Sequence, residues 1–247
     1  MLVIRDIDNF SSDEYIVASD GSFDGIHLGH RHILENVLSR AQSSHGRSMV
    51  VTYFPHPRTV IDSKEPFPIL STVEEKAFLL ERMGFDYMAV IPFTMQFASL
   101  SADDFLEGYL YGKLSVKELC IGYNHAFGNM RAGNFESTLR HHKLMVRKME
   151  EVRCSSCKVS STIIRRHLEK GEIEQANALL GHNYLIIGEK AGGNSVRVCP
   201  QKLLPPSGEY RAIVNGRTSF VRIDSSEIFL EEDAENNTVI ELCSRIA

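Results

Sequence analysis

YIVAS at residues 15–19, GSFDGIHLGH at 21–30 and the segment 32–43 read as one unit: strand, glycine-rich loop, helix. The first run is short, apolar and β-branched, as a strand buried on both faces requires. Over 32–43 the apolar residues Ile33, Leu34, Val37, Leu38 and Ala41 recur at helical spacing. Outward from this unit the pattern repeats. SMVVTY at 48–53, YMAVI at 87–91 and the run 116–121 predict further strands, and the intervening segments predict helices. Ser71-Thr-Val-Glu74 has the form of a capping box for a helix over 71–83, Ser101-Ala-Asp-Asp104 opens another, and 136–144, 161–170 and 172–180 complete the helical set. Alternating strands and helices predict an α/β fold with a doubly wound, Rossmann-like parallel sheet.

After Gly181 the pattern changes. Short β-like runs over 184–188, 195–199, 210–215, 219–223, 227–230 and 238–242 are separated by turn residues at 192–194, 205–208, 215–216 and 236–237. A small all-β, barrel-like module is expected over 184–247, following a domain over 1–183. About 60 residues hold little core by themselves, so the module is expected to lean on the first domain. An unpaired edge of that module would make the protein a homo-oligomer.

The 247 residues carry 43% hydrophobic and 24% charged side chains and a net charge of −5, an ordinary globular composition. A negative chain argues against broad nucleic-acid binding. The opening MLVIRDIDNF lacks the apolar stretch of a signal peptide, and no run approaches the roughly 20 apolar residues of a membrane span. A cytoplasmic location, away from membranes, is expected. Five cysteines do not form a disulfide framework. Cys154 and Cys157 make a lone CxxC, with His141 and His142 upstream, but no second pair completes a zinc site, and no protein-held metal is expected.

The loop after the first strand lies where open parallel sheets bind ligands. Gly21, Gly25 and Gly29 let the backbone approach a phosphate, and the helix start offers free N–H groups and a positive dipole end. Ser22, Phe23 and Asp24 line the same loop. His27 and His30, three residues apart, can face triphosphate oxygens and neutralise developing charge. A zinc role for this HxxH lacks a third ligand. A second cluster, VSSTIIR at 159–165, enters a later helix. Its hydroxyls fit either simple capping or phosphate binding, with Ser161, Thr162 and Arg165 close to one face.

Together these motifs resemble the nucleotidyltransferase superfamily. More narrowly, residues 15–190 resemble the FMN adenylyltransferase domain of bacterial bifunctional riboflavin kinase/FAD synthetases. The resemblance is carried by GSFDGIHLGH at 21–30, TYFPHP at 52–57, GYNHAFG at 122–128 with Arg131, Gly133 and Asn134, and VSSTIIR at 159–165; ALLG at 178–181 matches the family's domain boundary. It implies that ATP and FMN give FAD and pyrophosphate, with Mg²⁺ carried by ATP. His27, His30, Ser161, Thr162 and Arg165 would then be catalytic, and Phe54, Pro55, His56, Pro57, Asn124, Phe127, Gly128 and Arg131 would form the flavin side. Asn124 stands where the family commonly has Asp, which removes a carboxylate a metal could use.

The C-terminal module departs further. The kinase half of the family carries a GFPTAN-type motif that binds Mg-ATP, whereas GEKAGGN at 188–194 runs directly into SVRVC at 195–199. The segment 202–212 and Glu227 resemble later parts of that kinase. The module therefore resembles a shortened riboflavin kinase without its ATP site. Two other readings are a transferase for a different phosphate acceptor and a non-catalytic flavin or nucleotide binder.

Overall fold

The computed structural model describes residues 1–62, 67–122, 143–149 and 159–246. The chain divides into two compact units.

The first unit, Met1–Phe23, His30–Glu65 and Ala77–Arg153, is built on a six-stranded sheet. Its strands are β1 (Leu2–Ile4), β2 (Ile16–Asp20), β3 (Arg47–Phe54), β4 (Tyr87–Pro92), β5 (Val116–Ile121) and β6 (Met145–Lys148), in the order β1-β4-β3-β2-β5-β6. Every neighbouring pair is parallel. A parallel sheet is covered on both faces, which explains why all five residues of β2 are buried. From β2 the chain steps outward to β3 and β4, then returns to place β5 on the other side. The carboxyl ends of β2 and β5 thus form the topological switch point at which such sheets bind ligands.

The expected doubly wound sheet is present. Two of its strands were not expected from the sequence. Strand β1 has three residues and is held by distant pairing with β4, Leu2 opposite Tyr87. Strand β6 is an edge strand with largely exposed side chains, so no apolar run announces it. Helix α1 (Leu28–Ser43) begins four residues before the expected start and buries Leu34, Val37 and Ala41. Short helices α2 (Pro57–Ile61) and α4 (Met95–Ala98) follow β3 and β4, and α5 (Asp104–Lys113) is wound as a π-helix. Most of the segment expected as a helix over 136–144 lies outside the described residues.

The second unit comprises Asp24–Gly29, Pro66–Lys76 and Cys154–Ala247. Helices α6 (Ser161–Glu169) and α7 (Ile173–Leu180) precede six strands: β7 (Tyr184–Gly192), β8 (Ser195–Arg197), β9 (Gly208–Val214), β10 (Arg217–Asp224), β11 (Glu227–Leu230) and β12 (Thr238–Arg245). These close into a barrel in the order β10-β11-β8-β7-β12-β9. The barrel shares its core with the two helices that precede it, as a module leaning on the segment before it would. Tyr184, Tyr210, Ile228, Ile240 and Leu242 pack with Ile164, Leu168, Ile173 and Leu180 of the two helices in one buried cluster. Closure also removes the strand edge on which the expected homo-oligomer was argued, because every barrel strand is paired on both sides.

Helix α3 (Val73–Met83) carries its capping box one residue later than expected. Thr72 Oγ1 accepts from Glu75 N at 3.2 Å, and Glu75 Oε2 accepts from Thr72 N at 2.9 Å. Both members of the true box are buried, whereas Glu74 is exposed. Tertiary burial selected between two overlapping sequence matches.

Candidate active site

In the first unit the carboxyl end of β2 runs into Gly21, Ser22 and Phe23. Gly21 N donates to Val51 O at 3.0 Å, and Thr52 Oγ1 donates to Ser22 O at 3.2 Å, so this turn is fastened to β3. Space explains the glycine: a Cβ at 21 would lie 3.3 Å from the Phe23 ring. Phe23 in turn meets the His30 ring edge-to-face, with centroids 5.3 Å apart. Strand β3 ends at Phe54, followed by a cis Phe54–Pro55 bond. His56 caps α2, its ring accepting from Arg58 N at 3.2 Å, and Pro57 occupies the first turn, where its missing N–H costs nothing. Phe54 remains 46% exposed. Gly21, Ser22, Phe23 and the segment 54–57 thus lie at the carboxyl side of adjacent strands, with His30 in the first turn of α1 against Phe23.

In the second unit the loop 24–29 is clamped against α6. Asp24 is the anchor, with 2% of its surface exposed. Its Oδ1 accepts from Leu70 N at 2.8 Å and Ser71 N at 3.0 Å, and its Oδ2 pairs with the Arg165 guanidinium. Arg165 Nε also donates to Pro68 O at 2.9 Å, and the guanidinium lies over the Phe67 ring. Ser161 Oγ donates to Asp24 O at 2.9 Å. The capping role at α6 falls to Ser160, whose hydroxyl accepts from Ile163 N at 3.4 Å. Ser161 and Arg165 therefore share a helix face and both grip the loop, while Thr162, one residue round, is exposed.

The loop itself is strained. Gly25 has φ 91° and the β-branched Ile26 has φ 39°, a conformation that persists only where its surroundings hold it. Ile26 is buried at 2% exposure. His182 Nε2 lies 3.0 Å from Gly25 O while its Nδ1 lies 2.8 Å from Asn183 O.

His27 immediately precedes α1, whose first turn contains no acidic side chain, leaving the positive dipole end open to an anion. Burial of the ring, opposed by the negative charge of Asp24, holds the His27 pKa down to about 4. At neutral pH the ring is therefore uncharged, not a standing cation. A Cβ at Gly29 would lie 3.1 Å from this ring, so the glycine of HxGH makes room for the histidine before it.

Asn124, Phe127, Gly128 and Arg131 lie outside the described residues, as do Cys154 and Cys157. Two participants carried no signal in the sequence. Asp20, at the end of β2, accepts from Tyr53 Oη at 2.9 Å; burial, reinforced by that carboxylate, pushes the Tyr53 hydroxyl well above its usual range. His182, a single histidine after α7, reaches Gly25 across 157 residues.

A family profile described as FAD synthetase matches residues 10–163. A bifunctional riboflavin kinase/FMN adenylyltransferase of Listeria monocytogenes is 32% identical over 214 residues, 80% of this chain and 68% of the relative. The chain belongs to the FAD synthetase family. As a member it is a nucleotidyltransferase. Bifunctional relatives from Bacillus subtilis and Escherichia coli K12 share 32% and 29% identity with this FAD synthetase family member. The alignments span 79% of this chain in both cases, and 67% and 64% of those longer proteins. A crystal structure described as a macrolide-efflux protein from Streptococcus pneumoniae superposes with a TM-score of 0.81 at 22% identity, covering 99% of this chain and 90% of that one. It shares the fold.

Proposed function

We propose that this chain is an FMN adenylyltransferase, joining ATP and FMN to give FAD and pyrophosphate. The observation that carries the reading is the attachment of loop 24–29 to the start of α6 through Ser161 and Arg165, because it unites the HxGH and STxxR halves of a triphosphate site. Family membership supports the same reaction. An FMN phosphate oxygen attacks the α-phosphorus of ATP in line. The P–O bond to the β-phosphate breaks, and its electron pair leaves with pyrophosphate. FMN phosphate is already anionic, so no protein nucleophile is required.

His27 and His30, at the start of α1, donate to oxygens that gain charge in the transition state. An approaching triphosphate favours protonation of His27, adding charge when it is useful. Ser161 and Arg165 hold the loop in register, and Thr162 is the exposed hydroxyl of the pair for the departing pyrophosphate. Phe54, Pro55, His56 and Pro57 form the acceptor side with Asn124, Phe127, Gly128 and Arg131. Mg²⁺ enters with ATP and neutralises triphosphate charge. Among the described residues no group of three His, Cys, Asp or Glu side chains is placed to hold a metal ion.

Riboflavin kinase activity is proposed to be absent. Supporting this, β7 ends at Gly192 and β8 begins at Ser195, leaving only Gly193-Asn194 in the position of the kinase motif. Asn194 Nδ2 donates to Leu230 O at 2.7 Å and Leu230 N donates to Asn194 O at 3.0 Å, which fastens the turn to β11. Glu227 accepts from Ser195 Oγ at 3.2 Å, a bond within the barrel wall.

The test is incubation with Mg²⁺ and ATP plus either FMN or riboflavin, followed by chromatography of the flavins. FAD from FMN with riboflavin unchanged is expected. No FAD despite nucleotide binding would move the reading to another acceptor or to a binding protein, and FMN from riboflavin would overturn the kinase statement.

A further inference from the structure

Asp24 is held by the amides of Leu70 and Ser71, and those amides belong to a segment that the C-terminal barrel region holds in turn. Ile69 N donates to Gln201 O at 2.8 Å and Leu203 N donates to Ile69 O at 2.9 Å, a short parallel bridge between Ile69 and Lys202. Beneath this bridge lies a buried ion pair. Lys202 Nζ donates to Leu70 O at 2.6 Å, Glu75 Oε2 at 2.7 Å and Leu185 O at 2.6 Å, which uses all three ammonium protons. Its position 4.1 Å above the Tyr184 ring centroid adds a cation–π contact. Glu75 Oε1 accepts from Ile187 N at 2.9 Å, and Oε2 also takes the Thr72 amide. The two side chains are 1% and 0% exposed.

Every bond at this pair has a definite direction, and each ends on the 70–75 segment or on β7. A buried pair of this kind adds little net stability over packed apolar groups of the same volume. Its distinctive contribution is geometry. The path runs from Lys202 to Leu70 O, from the Leu70 and Ser71 amides to Asp24, and from Asp24 along three residues to His27.

We propose that Glu75 and Lys202 are positioning residues for the HxGH loop, so that the barrel is a working part of nucleotidyl transfer and not an appendage left from another activity. This rests on the adenylyltransferase reading. Neither side chain touches substrate. They set where the loop stands and hence where His27 points. A displacement of about 1 Å at such a site is enough to lower turnover strongly.

Two variants test it: Lys202→Arg, which keeps the charge but not the three-way donor geometry, and the double change Glu75→Gln/Lys202→Met, which removes both charges together. Each is first shown to be folded by circular dichroism. FAD formation is then followed with saturating Mg-ATP and varied FMN, and amide exchange is measured in parallel. The expected result is a fall in kcat of about tenfold or more with KM for FMN within about twofold, together with faster exchange at Leu70, Ser71 and residues 24–29 while β2 and β3 keep wild-type protection. Wild-type exchange at 69–71 and 24–29 in folded variants overturns the proposal, whatever the assay shows. So does an unchanged kcat, or failure of both variants to fold, which would make the pair a determinant of folding. If the wild-type protein makes no FAD while the exchange pattern appears as expected, the adenylyltransferase reading falls and the brace stands.

Discussion

The guanidinium of Arg165 closes on the buried carboxylate of Asp24, 141 residues earlier in the chain. The partners stand in the two motifs that define the proposed nucleotide site, and each is charged where water is excluded. Removing one leaves the other uncompensated, at a cost of about 3–5 kcal/mol. Arg165→Leu is therefore expected to lower the thermal midpoint sharply, and the double change Asp24→Asn/Arg165→Leu to recover part of the loss. Differential scanning calorimetry decides it. Single variants within about 1 kcal/mol of wild type would show that the pair is not electrostatically coupled.

His27 is expected to act in the chemical step. Under the adenylyltransferase reading, His27→Ala should lower kcat by about 10²–10³-fold, the effect of losing one donor to transition-state charge. KM for ATP should change much less. Steady-state rates at several ATP concentrations separate the two, and a defect confined to KM would reassign His27 to ground-state binding.

Acid should loosen the fold through the same ring. The folded pKa of His27 is depressed to about 4 from an ordinary 6.5, so the unfolded chain takes up a proton first as pH falls. Stability is complete above pH 6.5 and is lost progressively toward pH 4, by about 2 kcal/mol at pH 5. Thermal midpoints of wild type and His27→Ala should converge between pH 7.5 and 5. Parallel pH profiles would contradict the assignment.

Two glycines of the loop are predicted to fail differently when replaced. Gly25 has φ 91°, and a Cβ there would stand 3.0 Å from Leu70 Cδ1 and 3.2 Å from Leu180 Cδ2. Gly25→Ala should destabilise by roughly 1–3 kcal/mol. Gly29 lies within α1, exposed, where alanine suits the backbone. Its added methyl would instead press on the His27 ring at 3.1 Å. Gly29→Ala should keep the wild-type midpoint yet lose about tenfold or more in kcat. Equal effects of the two on stability would refute the distinction.

Much was legible in the chain alone, because the relevant physics is local. The unbroken apolar run of β2, the helical spacing of Leu34, Val37 and Ala41 in α1, and the turns at Gly193-Asn194 and Asn215-Gly216 are each set by residues a few positions apart. Motif order sufficed to point to the family. The edge strands β1 and β6 were illegible since pairing, not composition, makes them strands. Thr72 and Glu75 displaced Ser71 and Glu74 as the capping box because burial chose between overlapping matches. Sequence offered Ser161, Thr162 and Arg165 as caps or phosphate ligands; that Ser161 and Arg165 also hold Asp24 is visible only in the tertiary structure. Glu75 with Lys202, and His182 with Gly25, are contacts across 127 and 157 residues. No local rule encodes them, since their energy depends on a dry interior that exists only once the chain has folded.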